Sequence, residues 1–185
     1  MSLDLTRRST LLTGIGVLSA VSGCAGESDK GDTQSNEQAN GNCEDVDRWS
    51  GSYDRSKITS KSSGGFVVSA SPDTVEIGEK ITFRLKNETN EVKETGGSAQ
   101  FNIEKKRDEA WNGIFTEGGP FDAALTMHES GDGFDWTLMF SENRIEGTRK
   151  PLCGSLEPGT YRFVYFGISV EEIDPIAVTF SIQNK

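Results

Sequence analysis

A single histidine, His128, occurs in a chain of 185 residues, alongside three cysteines and five prolines. One imidazole is too few for a metal centre built on two or more histidines, and it leaves any cysteine nucleophile only one possible partner base. Long apolar runs are missing too. The greasiest stretch, Leu11 to Ser22, is twelve residues broken by glycine, serine and threonine, well short of the roughly 20 that span a bilayer. Basic residues are scarce, 19 against 29 acidic, for a formal net charge of −10. Such a surface repels polyanions, so nucleic-acid binding, which needs a basic footprint, is disfavoured. Phosphate loops, dinucleotide-binding glycine turns, GxSxG elbows and HExxH helices are all absent from the sequence, which removes the motif-borne enzyme classes.

What is present begins at the N-terminus. Thr6-Arg7-Arg8 precedes the apolar run, which closes on Val21-Ser22-Gly23-Cys24. This resembles a twin-arginine export signal joined to a lipoprotein processing site, and the resemblance implies cleavage before Cys24 and acylation of its thiol. The mature protein is then expected on the outer face of the cell membrane, anchored through lipid on Cys24. Removing 1–23 takes away two basic residues and one acidic, so the net charge moves from −10 to −11. Strong acidity together with such a signal is similar to surface lipoproteins of salt-loving archaea.

Residues 24–42 are polar after the first alanine and hold no aromatic or branched apolar side chain. They cannot bury enough surface to offset the entropy of ordering and are expected to form a disordered tether. Residues 43–64 carry Trp49, Tyr53 and Ile58 without a period, and are expected to be an N-terminal extension that clips onto a domain at 65–185.

From Gly65 the pattern changes to short alternating segments. Ile81, Phe83 and Leu85 alternate with Thr82, Arg84 and Lys86; Phe101 and Ile103 alternate with Asn102 and Glu104; Val178, Phe180 and Ile182 share one face. Further strands are expected over 66–70, 111–115, 121–127, 134–140 and 161–168. No window sustains a 3.6-residue period. Seven or eight short strands in about 120 residues predict an all-β, antiparallel two-sheet sandwich.

Two passages make that expectation narrower. Ser69-Ala70-Ser71-Pro72-Asp73-Thr74-Val75-Glu76-Ile77-Gly78-Glu79-Lys80-Ile81-Thr82-Phe83 resembles the opening strands of prokaryotic immunoglobulin-like modules. Leu156-Glu157-Pro158-Gly159-Thr160-Tyr161-Arg162-Phe163 resembles their turn into strand F, with Phe101-Asn102-Ile103-Glu104-Lys105-Lys106 and Trp111 between. The resemblance implies an immunoglobulin-like sandwich over 65–185. Pro158 and Gly159 would make its tight corner, and the Tyr161 hydroxyl would bond back to upstream backbone.

With Cys24 acylated, Cys43 and Cys153 remain as an even pair in an oxidising compartment, where a disulfide between them would fasten the extension to the loop before that corner. The alternatives are two unpaired thiols or a Cys153 nucleophile, although Pro151-Leu152-Cys153-Gly154-Ser155, between Lys150 and a tight turn, offers no helix N-terminus to depress the thiol pKa.

Several other signals are weaker. A blue-copper site needs two histidines and a cysteine, and this chain has one histidine, with neither histidine nor methionine after Cys153. His128 itself is expected as a strand-end or loop residue. Glu129 to Asp135 places acids on a turn but lacks the EF-hand spacing, so a solvated hairpin loop is expected, with no metal or other cofactor. Asn87-Glu88-Thr89 is an N-glycosylation sequon, expected to be exposed at a strand end.

These observations predict a non-enzymatic, membrane-anchored binding module with no catalytic residues. Its partner, an unknown surface protein or ligand, would be met by the loops Asn87 to Ser98 and Gly167 to Asp174. The alternative is a loop-presented protease inhibitor or an accessory factor of an exported complex. The Asn-Pro-Thr-Thr-Gly and Arg-Pro-Trp motifs of cysteine-protease inhibitors on such scaffolds do not occur here.

Overall fold

The computed structural model describes residues 51–118, 124–167 and 174–185. The chain opens with a 3₁₀ turn, Arg55–Lys57, followed by β1 (Thr59–Ser60), β2 (Ser62–Ser63), β3 (Phe66–Ser71), β4 (Thr74–Glu76) and β5 (Lys80–Asn87). Next come β6 (Lys93–Thr95), β7 (Phe101–Arg107), β8 (Ala110–Gly113), β9 (Thr126–His128) and β10 (Gly133–Ser141). The last three are β11 (Arg144–Glu146), β12 (Gly159–Tyr165) and β13 (Ile176–Gln183). One sheet has the order β1-β13-β12-β7-β8, with β4 also on the free side of β13; the other runs β11-β10-β5-β3-β2. A small ribbon of β6 and β9 stands apart.

Alternation decides which side chains meet, because successive residues of a strand face opposite ways. In β5, Ile81, Phe83 and Leu85 are buried while Lys80 and Arg84 are exposed. β10 answers in register, Leu138 opposite Ile81, Trp136 opposite Phe83 and Phe134 opposite Leu85. Phe163 of β12 sits at the centre of the core. Its ring stacks on Phe83 of the other sheet at 4.5 Å and on Phe101 at 5.1 Å, and meets Trp136 at 5.0 Å. Each such pair adds about 0.5–1.5 kcal/mol beyond the area it buries. At Gly133, the first residue of β10, an added Cβ would collide with the Leu85 carbonyl, so the approach of β10 to β5 at this point requires glycine.

The fold is all-β, and its two layers make a sandwich as the alternation predicts. β3, β5, β7, β10, β12 and β13 lie where six of the expected strands were placed. The expected strand over 121–127 falls partly outside the described residues, and its described end belongs to β9. Phe115 forms an isolated bridge to Leu152 rather than extending β8.

The change in sequence pattern near residue 64 is not a structural seam. β1 pairs in parallel with β13, and β2 pairs antiparallel with β3, so residues 59–63 step from one sheet to the other. Between them Lys61, at φ +66°, donates its N–H to the Ala177 carbonyl at 2.8 Å and accepts from the Val68 N–H at 2.8 Å. This one residue links the edges of both layers and covers backbone groups that an open edge would leave unpaired.

Candidate functional site

At one end of the sandwich the segment after β5 returns as the β6–β9 ribbon. Asn87 continues the inward alternation of Ile81, Phe83 and Leu85 and is fully buried. Its Nδ2 donates to the carbonyls of Glu91 at 2.7 Å, His128 at 3.0 Å and Glu129 at 3.2 Å. Its Oδ1 accepts from the Thr89 N–H at 3.0 Å and the Thr89 hydroxyl at 2.7 Å. The exposure expected of the sequon is therefore corrected. The nitrogen that would carry a glycan is buried and pins two loops together, and a sugar there would leave those carbonyls unsatisfied.

His128 is the last residue of β9, as the strand-end expectation had it, and it is buried in the ribbon. Its Nε2 lies 2.8 Å from the Thr95 hydroxyl, and its ring packs edge-on against Phe134 at 4.7 Å and Phe66 at 5.7 Å. Burial pushes its pKa below the ordinary 6.5. The Tyr165 hydroxyl donates to the Gly96 carbonyl at 2.8 Å, and the Gly96 N–H donates to the Gly167 carbonyl. The end of the first loop expected to make contacts thus meets the start of the second, although 168–173 lie outside the described residues.

The ribbon's two faces differ. Inward are the buried Thr95 and His128; outward, Glu94 of β6 stands opposite Met127 of β9. Met127 is 57% exposed, and Leu125 and Val92, each two residues before this cross-strand pair, are 55% and 54% exposed. They are the large hydrophobic side chains left most open among the described residues. Exposed Glu91 and Glu129 flank them, giving a small apolar surface with an acidic rim.

A second polar cluster covers the outer face of the β12–β7–β8 sheet. Glu104 points outward from β7 yet is fully buried, because residues 53–55 lie over it. Its Oε1 accepts from the Tyr53 hydroxyl at 2.9 Å and Arg55 Nε at 2.7 Å, and its Oε2 accepts from Arg162 Nε at 2.6 Å. Asn102 Nδ2 donates to the Tyr53 oxygen at 3.0 Å, the Tyr53 ring stacks on Phe166 at 5.0 Å, and Arg162 lies 4.5 Å over the Trp111 ring. Burial and the Glu104 carboxylate push the Tyr53 hydroxyl pKa up. Both oxygens of Glu104 are committed to donors, which suits a clamp better than a proton-transfer group. Sequence reasoning passed over this cluster.

The Tyr161 hydroxyl donates to the Glu157 carbonyl, four residues upstream across Pro158 and Gly159. Burial raises its pKa to about 12. Cys153 N–H donates to the Ile114 carbonyl at 2.7 Å. Cys24 and Cys43 both lie outside them, as do the expected signal segment and tether. In the acidic turn, Asp135 is held by Arg84 at 2.6 and 2.8 Å. Among the described residues no three His, Cys, Asp or Glu side chains are grouped to hold a metal, and no helix is long and apolar enough to cross a membrane. No family model and no curated protein matches the chain.

Proposed function

We propose that the protein is a lipid-anchored, non-enzymatic module on the outer face of the cell membrane that binds a protein or ligand at the surface. The outward face of the β6–β9 ribbon carries this reading. Exposed hydrophobic residues grouped on a short, well-supported ribbon are costly to leave in water unless they meet a partner. Here Asn87, Thr95 and His128 hold the ribbon rigidly from behind.

We further read the sandwich as immunoglobulin-like. Supporting this are the placement of β3 and β4 on opposite sheets, the neighbours β13, β12, β7 and β8 in that order, and the hydroxyl-to-backbone bond at Tyr161. The address rests on the twin-arginine and Cys24 pattern, and we assign to Cys43 and Cys153 a disulfide that ties the chain ahead of Tyr53 to the loop before β12.

The triple replacement Val92→Ser, Leu125→Ser and Met127→Ser tests the binding reading, since none of the three side chains is buried. In membranes solubilised in mild detergent, the wild type is expected to migrate in a larger complex and the variant, with an unchanged melting temperature, at its own mass. Identical migration of the two would count against the ribbon, and monomeric wild type would count against the binding reading altogether.

A further inference from the structure

Acid and apolar side chains alternate in both directions over the outward face of the β6–β9 ribbon. Glu94 stands opposite Met127. In the neighbouring pair of that register, Lys93 with His128, the chain continues to Val92 on one strand and Glu129 on the other. Each of the two carboxylates therefore has Val92 and Met127 as neighbours, one along its own strand and one across the ribbon. Val92, Met127 and Glu129 are exposed and Glu94 is half-buried. Residues 88–98 and 124–132 hold five acids and one lysine, against 29 acids and 19 bases in the whole chain, so this end is more acidic than the rest. The one lysine, Lys93, is taken by Glu91 at 3.2 Å, and Glu88 is met by Lys86 at 2.8 Å. Among the described residues Glu94 and Glu129 have no cationic partner.

A second copy of the chain would bring these carboxylates against like charge, and a purely apolar partner would strip water from them without replacing it. We propose that the ribbon docks an extended segment of another protein in which lysine or arginine alternates with apolar side chains along one face. This rests on the binding reading of the ribbon and names the kind of partner it takes. Same-side residues of an extended chain repeat about every 6–7 Å, which is the repeat of the ribbon strands themselves. Such a segment can set apolar on apolar at Val92 and Met127 while its cations reach Glu94 and Glu129. Ion pairs closed beside Val92 and Met127 would be partly desolvated, where solvent ions screen them less than on an open surface. Because the Thr95 hydroxyl and His128 Nε2 already tie the ribbon from behind at 2.8 Å, docking would cost little in ordering it.

Synthetic peptides make the test, titrated into the purified protein and followed by amide chemical shifts: a repeated Lys-Thr-Val-Thr, the same repeat with glutamate for lysine, and the same repeat with serine for valine. The first is expected to saturate with its largest shifts at Val92, Glu94, Met127 and Glu129, and each of the others to bind at least roughly tenfold more weakly. Glu94→Gln combined with Glu129→Gln should weaken the first peptide severalfold, and so should Val92→Ser combined with Met127→Ser. None of these side chains is buried, so both variants should fold. Equal binding of the lysine and glutamate peptides, no saturable shift, shifts centred elsewhere on the acidic surface, or a wild type that pairs with itself through the ribbon would overturn the proposal. If the triple serine variant nonetheless loses its complex in solubilised membranes, the binding reading survives that failure; a wild type that is monomeric there removes both.

Discussion

Arg162 grips Glu104 through its Nε at 2.6 Å on the outside of a sheet, where side chains ordinarily face water, and neither side chain is more than 13% exposed. Residues 53–55 make the difference by laying Tyr53 and Arg55 over the pair. A buried carboxylate with two guanidinium partners is costly to disrupt from one side only. Glu104→Ala should therefore lower the free energy of unfolding by about 3–5 kcal/mol, whereas Arg55→Ala, at a partly exposed member, should lower it by less. Urea titration of the two variants checks the ranking; a smaller loss for Glu104→Ala than for Arg55→Ala would contradict the clamp.

At the corner before β12, Tyr161→Phe keeps the ring in the core and removes the bond to the Glu157 carbonyl. The carbonyl is left with one partner fewer, so a loss of about 1–3 kcal/mol is expected. Thr160→Ser, at an exposed neighbour, should change stability by less than about 0.5 kcal/mol. Equal denaturation midpoints for Tyr161→Phe and wild type would remove the corner's energetic role.

His128 gives the pH dependence a definite sign. Burial holds its folded pKa below the ordinary 6.5, so in the acid range the unfolded chain binds the extra proton first. The contribution of neutral His128 is fully present above 6.5 and is lost as the pH falls through its lower folded value. Thermal unfolding measured on either side of pH 6.5 should show a drop in the wild type that is reduced in His128→Gln. An equal drop in both proteins would place the acid sensitivity elsewhere.

The alternation of β5 was legible in the sequence because each residue of an eight-residue strand repeats the same two-residue test. The same alternation carries Asn87 inward, two places beyond Leu85, and that parity could have outweighed the sequon reading. β1, β2, β6 and β11 are two or three residues long, too short for any period to register, and the burial of His128 on one of the short ribbon strands was hidden for the same reason. Glu104 faces outward by parity, as expected; its burial depends on residues about 50 positions earlier in the chain, a relationship that local pattern does not carry.

The proposed anchor predicts that the wild type partitions into the detergent-rich phase and that Cys24→Ser stays aqueous or unprocessed. Replacing Arg7 and Arg8 by lysine should stop export if the twin-arginine route is used. Detergent partition of the Cys24→Ser protein equal to wild type would contradict lipid attachment at that residue.

Surface binding through the ribbon is tested most directly by photo-crosslinking in intact cells from a photoreactive residue at position 127, with position 82 on the outer face of β5 as the control. The account predicts a discrete, higher-mass adduct from position 127, abolished by Val92→Ser and Leu125→Ser, and none from position 82. No adduct from position 127, or the same adduct from both positions, would contradict it.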